Sequence, residues 1–387
     1  MTLGDDHDGL PSRAESLIRT VETIGSRFVV GDTGRHMQHD DFAERGRILG
    51  DHLRAALLLS DEAHYAAAFV VLRTALEHHL VDRLVLLANR YVQVYPVKKA
   101  NAALEDRRLR ALKAGPRPDI VRWSMDNGKM NVIVKGLYPQ GSLGHGLTVS
   151  PYYFVVDQYD PFTGRPWHIG QIAGPFVPVG DRRRKATEAK ALWDSLFVYD
   201  KLKRNLKLNH LLTLRQAIQL DTHYGFLSAY GHGAGQAYRL LYGHNTPSSI
   251  GVRDHYASEL VHLYVVTIAS EEILAFARMA KRPPVLRLAN WAATQTDIAA
   301  AKSATRYFWF FSETPQILDR VNEVHTRLAR RKEPWTVPPQ DPMAIQANRV
   351  KYYVNPLVRL KELHRDMTEM TSGQTSPALF PRPDAYR

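Results

Sequence analysis

The chain has 387 residues, 44% of them hydrophobic and 23% charged, which is enough apolar material for a large buried core and argues against global disorder. It contains no cysteine, so disulfides, thiolate nucleophiles, Cys-ligated zinc and Cys-held iron–sulfur clusters are excluded. Lys and Arg total 51 against 39 Asp and Glu, a net charge of +12 whose field favours polyanionic partners, nucleic acid first among them; spread evenly over the surface, the same surplus would serve solubility alone.

Residues 1–12 read as a loose acidic tail without the apolar core of a signal peptide. No uninterrupted apolar run approaches the ~20 residues that span a bilayer, so the expectation is a cytoplasmic protein with no membrane partner. From about Ala14 apolar residues fall at helical spacing, and Phe42 to Leu59 continues the pattern. A long helix is expected from about Glu62 to Tyr95, capped by Ser60 or Asp61 and stopped by Pro96. Its Ala66–Leu72 segment is apolar nearly all round, which places it in the centre of a bundle.

Lys98 to Lys113 reads as a charged helix ending at Gly115-Pro116. Beyond it, Asn127-Gly128 between two β-branched runs predicts a hairpin, and a second strand pair is expected at Tyr152–Gln158 and Trp167–Ile172. Helices resume near Arg184 and recur at about Thr222–Tyr242, Asp254–Lys281, Ala289–Phe311 and Pro315–Arg331, the last with Thr314 as cap. The expected architecture is therefore mainly α, a multi-helix bundle (13–116 and 181–335) with a small β-rich insertion at 117–180, a helical segment at 336–370 and a disordered tail at 371–387.

Two constellations carry chemistry. Arg73-Thr74-Ala75-Leu76-Glu77-His78-His79 lies inside the most apolar helix, where an ion must be paired. Arg73 and Glu77 are four apart and share a face, whereas His78 lies roughly 140° around from Arg73 at 3.6 residues per turn. The plain alternative is a structural Arg–Glu pair with two histidines at its edge. In His223–His232, Ser228 and His232 are four apart and meet on one face; glycines 225, 231, 233 and 235 would admit a ligand or, equally, a closely packed helix. Glu259-Leu260-Val261-His262 is a single E-x-x-H pair, with Asp61-x-x-His64 the nearest second, so no metal site and no cofactor are expected. The basic runs Arg182-Arg183-Arg184-Lys185, Lys201–Lys207 (with Lys203 and Arg204) and Arg327–Lys332 (with Arg330 and Arg331) are candidate nucleic-acid contacts or, taken singly, solvated charged faces. Anchors for a metalloprotease, P-loop NTPase, α/β-hydrolase or Rossmann fold are missing.

The Arg-Thr-Ala-Leu-Glu helix, preceded by an Ala-rich run and followed far downstream by Leu-Ser-Ala-Tyr-Gly-His, resembles a family of bacterial helical proteins that pair an R-T-x-x-E helix with an S-x-x-x-H helix. That family is in turn similar to HEPN-type domains, many of them ribonucleases of toxin and phage-defence systems with an Arg and a His four to six residues apart. The resemblance covers about residues 42–95 and 190–245. It implies metal-independent RNA cleavage in which Arg73 stabilises phosphate charge and His78 acts as general acid and base, with Glu77, Ser228 and His232 in the same site, across a symmetric homodimer. The competing expectation is a non-catalytic interaction or scaffold protein whose polar pairs only hold the bundle together.

Overall fold

A computed structural model of the chain describes residues 9–30, 36–88, 90–96, 102–115, 120–126, 129–135, 198–232, 241, 247–280, 286–288, 291–304, 317–331, 344–346, 350, 356, 357 and 360. It is mainly α-helical and divides into two units, one of residues 1–34, 42–79 and 213–387, the other of residues 35–41 and 80–212.

In the first unit, α1 (Leu10–Ile24) begins with a proline in its first turn and buries Leu10, Ala14, Leu17, Ile18, Val21 and Ile24, one stripe at helical spacing. A short 3-10 turn follows, then β1 (Phe28–Val30). Helix α2 (His36–Asp61) packs closely on α1: a Cβ at Gly46 would run into the carbonyl oxygen of Val21, and Arg54 bridges back to Glu22 at 2.8 Å and Glu15 at 3.2 Å. The chain then breaks. His64 N–H reaches Leu59 C=O at 2.7 Å and Ala63 N–H reaches Ser60 C=O at 3.0 Å, while Ala63 takes a φ of 57°. This pair of bonds closes the helix C-terminus with an alanine where glycine is usual. Helix α3 (Tyr65–Leu87) follows; its residues to His79 belong to the first unit and those from Leu80 to the second.

The core of the first unit is α7 (Pro247–Ala280), which packs on α1 and on α8 (Trp291–Ala304). It buries Leu260, Val261, Val265, Val266, Ile273 and Phe276, each contributing about 1.5–3 kcal/mol of transfer free energy. Its stretch Tyr256–Ala280 is long and apolar enough to cross a membrane, yet 78% of its most apolar window is buried inside the protein, as in a core helix. β1 pairs antiparallel with β5 (Leu286–Leu288). Helix α9 (Ile317–Arg331) buries Val324 against Ile345 and Val350, and Arg320 donates to the Ile345 carbonyl at 2.5 Å. Helix α6 (Leu214–Gly231) starts with a capping box between Thr213 and Gln216 and meets α3 through Phe69, Phe226 and Tyr230, whose ring centroids lie 5.0–5.2 Å apart.

The second unit holds a three-stranded antiparallel sheet in the order β2-β4-β3, built from β2 (Arg90–Pro96), β3 (Ile120–Asp126) and β4 (Lys129–Lys135). Helix α4 (Ala102–Ala114) is fastened to β3: Trp123 Nε1 donates to Asp106 at 2.6 Å and Lys113 to the Val121 carbonyl at 3.1 Å. Helix α5 (Tyr199–Leu208) buries Leu202, Asn205 and Leu206 and packs on β2. Asn209, just past its end, exchanges two hydrogen bonds with the Arg90 backbone at 2.7 and 2.9 Å, so one amide side chain continues the strand's pairing.

Several expected boundaries are corrected. The helix placed at Glu62–Tyr95 begins only at Tyr65, and the candidate caps Ser60 and Asp61 are the last residues of α2. The helix stops at Leu87, because Arg90–Pro96 is drawn into the sheet as partner of β4. Pro96 closes an edge strand opposite Lys129 rather than stopping a helix. Helix α6 begins eight residues before the expected Thr222, at the Thr213 cap. The hairpin is where Asn127-Gly128 predicted it, with Asp126 paired to Lys129. Strands at 152–158 and 167–172, the run 182–185 and residues 371–387 lie outside the described residues.

Candidate anion site on helices α3 and α6

Helix α3 offers Arg73 and Glu77 one turn apart, and α6 offers Tyr224. The three form a closed triangle: Arg73 Nη2 donates to Tyr224 Oη at 3.1 Å, Tyr224 Oη donates to Glu77 Oε1 at 2.7 Å, and Arg73 Nε lies 3.4 Å from Glu77 Oε1. The Arg73 guanidinium also lies over the Tyr224 ring, 5.3 Å from its centroid. Burial works against the Arg73 charge, but the bonds to Tyr224 and the Glu77 carboxylate outweigh it and hold the guanidinium above its ordinary pKa. For Tyr224, burial and the hydrogen bond to Glu77 raise the phenol's pKa, with Arg73 opposing them.

The cluster is not sealed. The Arg73 side chain is 25% exposed and that of Glu77 is 39% exposed. Tyr224, Ser228 and Gly231 follow at i, i+4 and i+7 on one stripe of α6, and Arg73 runs along it. At the far end, a Cβ on Gly231 would stand 3.2 Å from Arg73 Nη1, so the absence of a side chain there lets the cation lie against the helix. Ser228 Oγ, between Tyr224 and Gly231, is buried and makes no hydrogen bond among the described residues. His232 caps the C-terminus of α6 through its backbone N–H and is itself exposed, one residue beyond the glycine that faces Arg73.

The structure thus brings Arg73 and Glu77 to the helix that carries Ser228 and His232. It joins Ser228 to His232 only through the backbone, His232 N–H to Ser228 C=O at 3.1 Å, and not through the two side chains. It directs His78 elsewhere: the His78 ring lies 6.2 Å, centroid to centroid, from that of His52 on α2, whereas Arg73 engages α6. Tyr224, which joins the two halves, was not singled out by sequence reasoning; nor was His79, whose Nδ1 lies 2.6 Å from Glu272 of α7 in a buried pair. Nearby, His223 Nδ1 is 2.9 Å from the hydroxyl of Tyr264, a fully buried phenol whose pKa is held well above the ordinary value by burial and by neighbouring Tyr230.

Of the other candidates, His262 uses Nδ1 on the Ser258 carbonyl at 2.8 Å, and Asp61 and His64 flank the break between α2 and α3. Among the described residues no group of three or more His, Asp or Glu could hold a metal ion. Lys203 and Arg204 lie on α5. Arg330 and Arg331 lie in the last turn of α9, and Arg182, Arg183, Arg184 and Lys185 fall outside the described residues. No protein-family model, curated protein or solved structure matches the chain.

Proposed function

We propose that the chain is an RNA-directed protein of HEPN-like character, a metal-independent endoribonuclease working in a toxin or phage-defence setting in the cytosol, with its reaction centre on α3 and α6. The observation that carries the reading is the placement of a partly exposed guanidinium, Arg73, along the α6 stripe of Tyr224, Ser228 and Gly231, one residue before the exposed His232. In this reading a backbone phosphate docks on Arg73, and His232, next in sequence to the glycine that faces Arg73, is the base. His232 then takes the proton of the ribose 2′-OH as its oxygen attacks the adjacent phosphorus. The bond to the 5′-oxygen breaks, that oxygen takes a proton from solvent, and a 2′,3′-cyclic phosphate is left. Arg73 stabilises the charge that builds on the non-bridging oxygens, and Ser228 would donate its hydroxyl proton to one of them once the ligand opens the stripe. His78, turned toward α2, is assigned no proton transfer in this scheme. The homodimer implied by the resemblance would present two such sites.

The test is cleavage of a single-stranded RNA oligonucleotide in EDTA. Wild type is expected to generate cyclic-phosphate ends, Arg73→Ala and His232→Ala to lose at least about a hundredfold in rate, and His78→Ala to stay within a few-fold. Failure of the wild type to cleave removes the enzymatic reading. A second reading, a non-catalytic scaffold, is favoured by one observation: the Arg73 charge is already answered by Glu77 on its own helix.

A further inference from the structure

Arg54 is matched to Glu22 and Glu15, Arg73 to Tyr224 and Glu77, and Arg27 to Asp297. Arg204 on α5 is not. Its Nη1 donates to Asn131 Oδ1 of β4 at 3.3 Å, but Nε and Nη2 are buried and have no acceptor, and among the described residues no carboxylate pairs with it. These two nitrogens form one edge of the guanidinium plane, the edge whose parallel N–H bonds fit two oxygens of a single phosphate or carboxylate group. A cation with an empty fork is expensive to keep half-buried for structural reasons alone. Asn131, which accepts from Nη1, keeps an amide donor in the same place. Lys203, next in sequence but about 100° around the helix, adds to the local positive potential without facing the fork; its ammonium lies 5.2 Å from the Tyr199 ring centroid and 3.7 Å from Asp200.

We infer that Arg204, with Asn131, forms a phosphate-binding site in the second unit, separate from the α3–α6 cluster of the first. The positive potential that Lys203 adds to that of Arg204 favours a phosphate over a singly charged carboxylate, and the fork sets its orientation. Burial lowers the Arg204 pKa with no opposing charge to offset it, in line with a site built to be neutralised by a ligand.

The full-length protein is titrated with inorganic phosphate by calorimetry, and thermal unfolding is followed with and without phosphate. The wild type is expected to bind and to gain thermal stability. Arg204→Met, which keeps the aliphatic stem, is expected to bind at least tenfold more weakly and, in phosphate-free buffer, to melt at the same temperature as the wild type or higher, because an unanswered charge has gone. Arg204→Lys, which keeps the charge without the fork, should fall between them. The titration is repeated in an Arg73→Ala background, which removes the α3–α6 phosphate contact; the binding that remains there and is lost on adding Arg204→Met reports the second-unit site alone, so failure here and failure of the α3–α6 reading are told apart. Competition by a short RNA would name a backbone phosphodiester as the ligand; phosphate binding without competition would name free phosphate. Unchanged phosphate binding in Arg204→Met, or a melting point well below wild type in phosphate-free buffer, would overturn the inference.

Discussion

Replacing Tyr224 by Phe removes one oxygen and leaves the ring beneath the Arg73 guanidinium. That oxygen accepts from Arg73 at 3.1 Å and donates to Glu77 at 2.7 Å. A hydrogen bond to a charged group contributes about 1.5–3 kcal/mol. Both charged partners here are a quarter or more exposed, so solvent takes up much of what the phenol supplied, and the two bonds together come to about 1–2 kcal/mol. The direct Arg73–Glu77 contact survives and, as an i,i+4 pair, contributes only about 0.3–0.5 kcal/mol. Urea unfolding should therefore show Tyr224→Phe destabilised by about 1–2 kcal/mol with an unchanged slope. In a cycle with Glu77→Gln, the double variant should be less destabilised than the sum of the singles by at least about 0.5 kcal/mol, because each single already forfeits the phenol's bond to a charged carboxylate. A Tyr224→Phe loss below about 0.3 kcal/mol, or strict additivity with Glu77→Gln, would show that the triangle does not couple α3 to α6.

Further predictions follow from the same contacts. Gly46→Ala should destabilise by about 1–3 kcal/mol in urea unfolding, because the added methyl meets the Val21 backbone, which cannot move aside as a flexible side chain would. Glu77→Gln should tighten RNA binding several-fold in a fluorescence titration, since the carboxylate that competes with phosphate for Arg73 is gone; weaker binding would mean that Glu77 holds Arg73 in place for its ligand. Stability should fall as pH rises above about 10. Below that, folded and unfolded chains carry the same tyrosine protons. Above it the unfolded chain releases them first, since burial holds the phenols of Tyr224, Tyr256 and Tyr264 above their ordinary value of 10.0. Tyr264→Phe should flatten that alkaline fall in a pH series of melting temperatures.

The helices were legible wherever apolar residues repeat at helical spacing, as in α1 and α9, and the hairpin wherever Asn-Gly lies between β-branched runs. The break between α2 and α3 was not, because its left-handed residue is Ala63, and alanine gives no local sign of a φ of 57°. The strand Arg90–Pro96 was hidden for a different reason: neither Gly nor Pro marks the end of α3, and only pairing with β4, some forty residues away, decides that Tyr91 to Tyr95 are extended. In the candidate site the local half was readable. Arg73 and Glu77 announce themselves as an i,i+4 pair on an apolar helix. Their meeting with Tyr224 is set by the aromatic packing of Phe69, Phe226 and Tyr230, a long-range contact with no motif of its own. The buried His79–Glu272 pair is of the same kind.

If Arg73 on the α3–α6 face is the phosphate contact of an RNA-directed site, the salt dependence of RNA binding must differ between wild type and Arg73→Gln. The variant should bind more weakly, with a log–log salt slope shallower by about 0.7, the loss of one single-strand phosphate contact. Equal affinity and equal slope in the two proteins would contradict that role for Arg73.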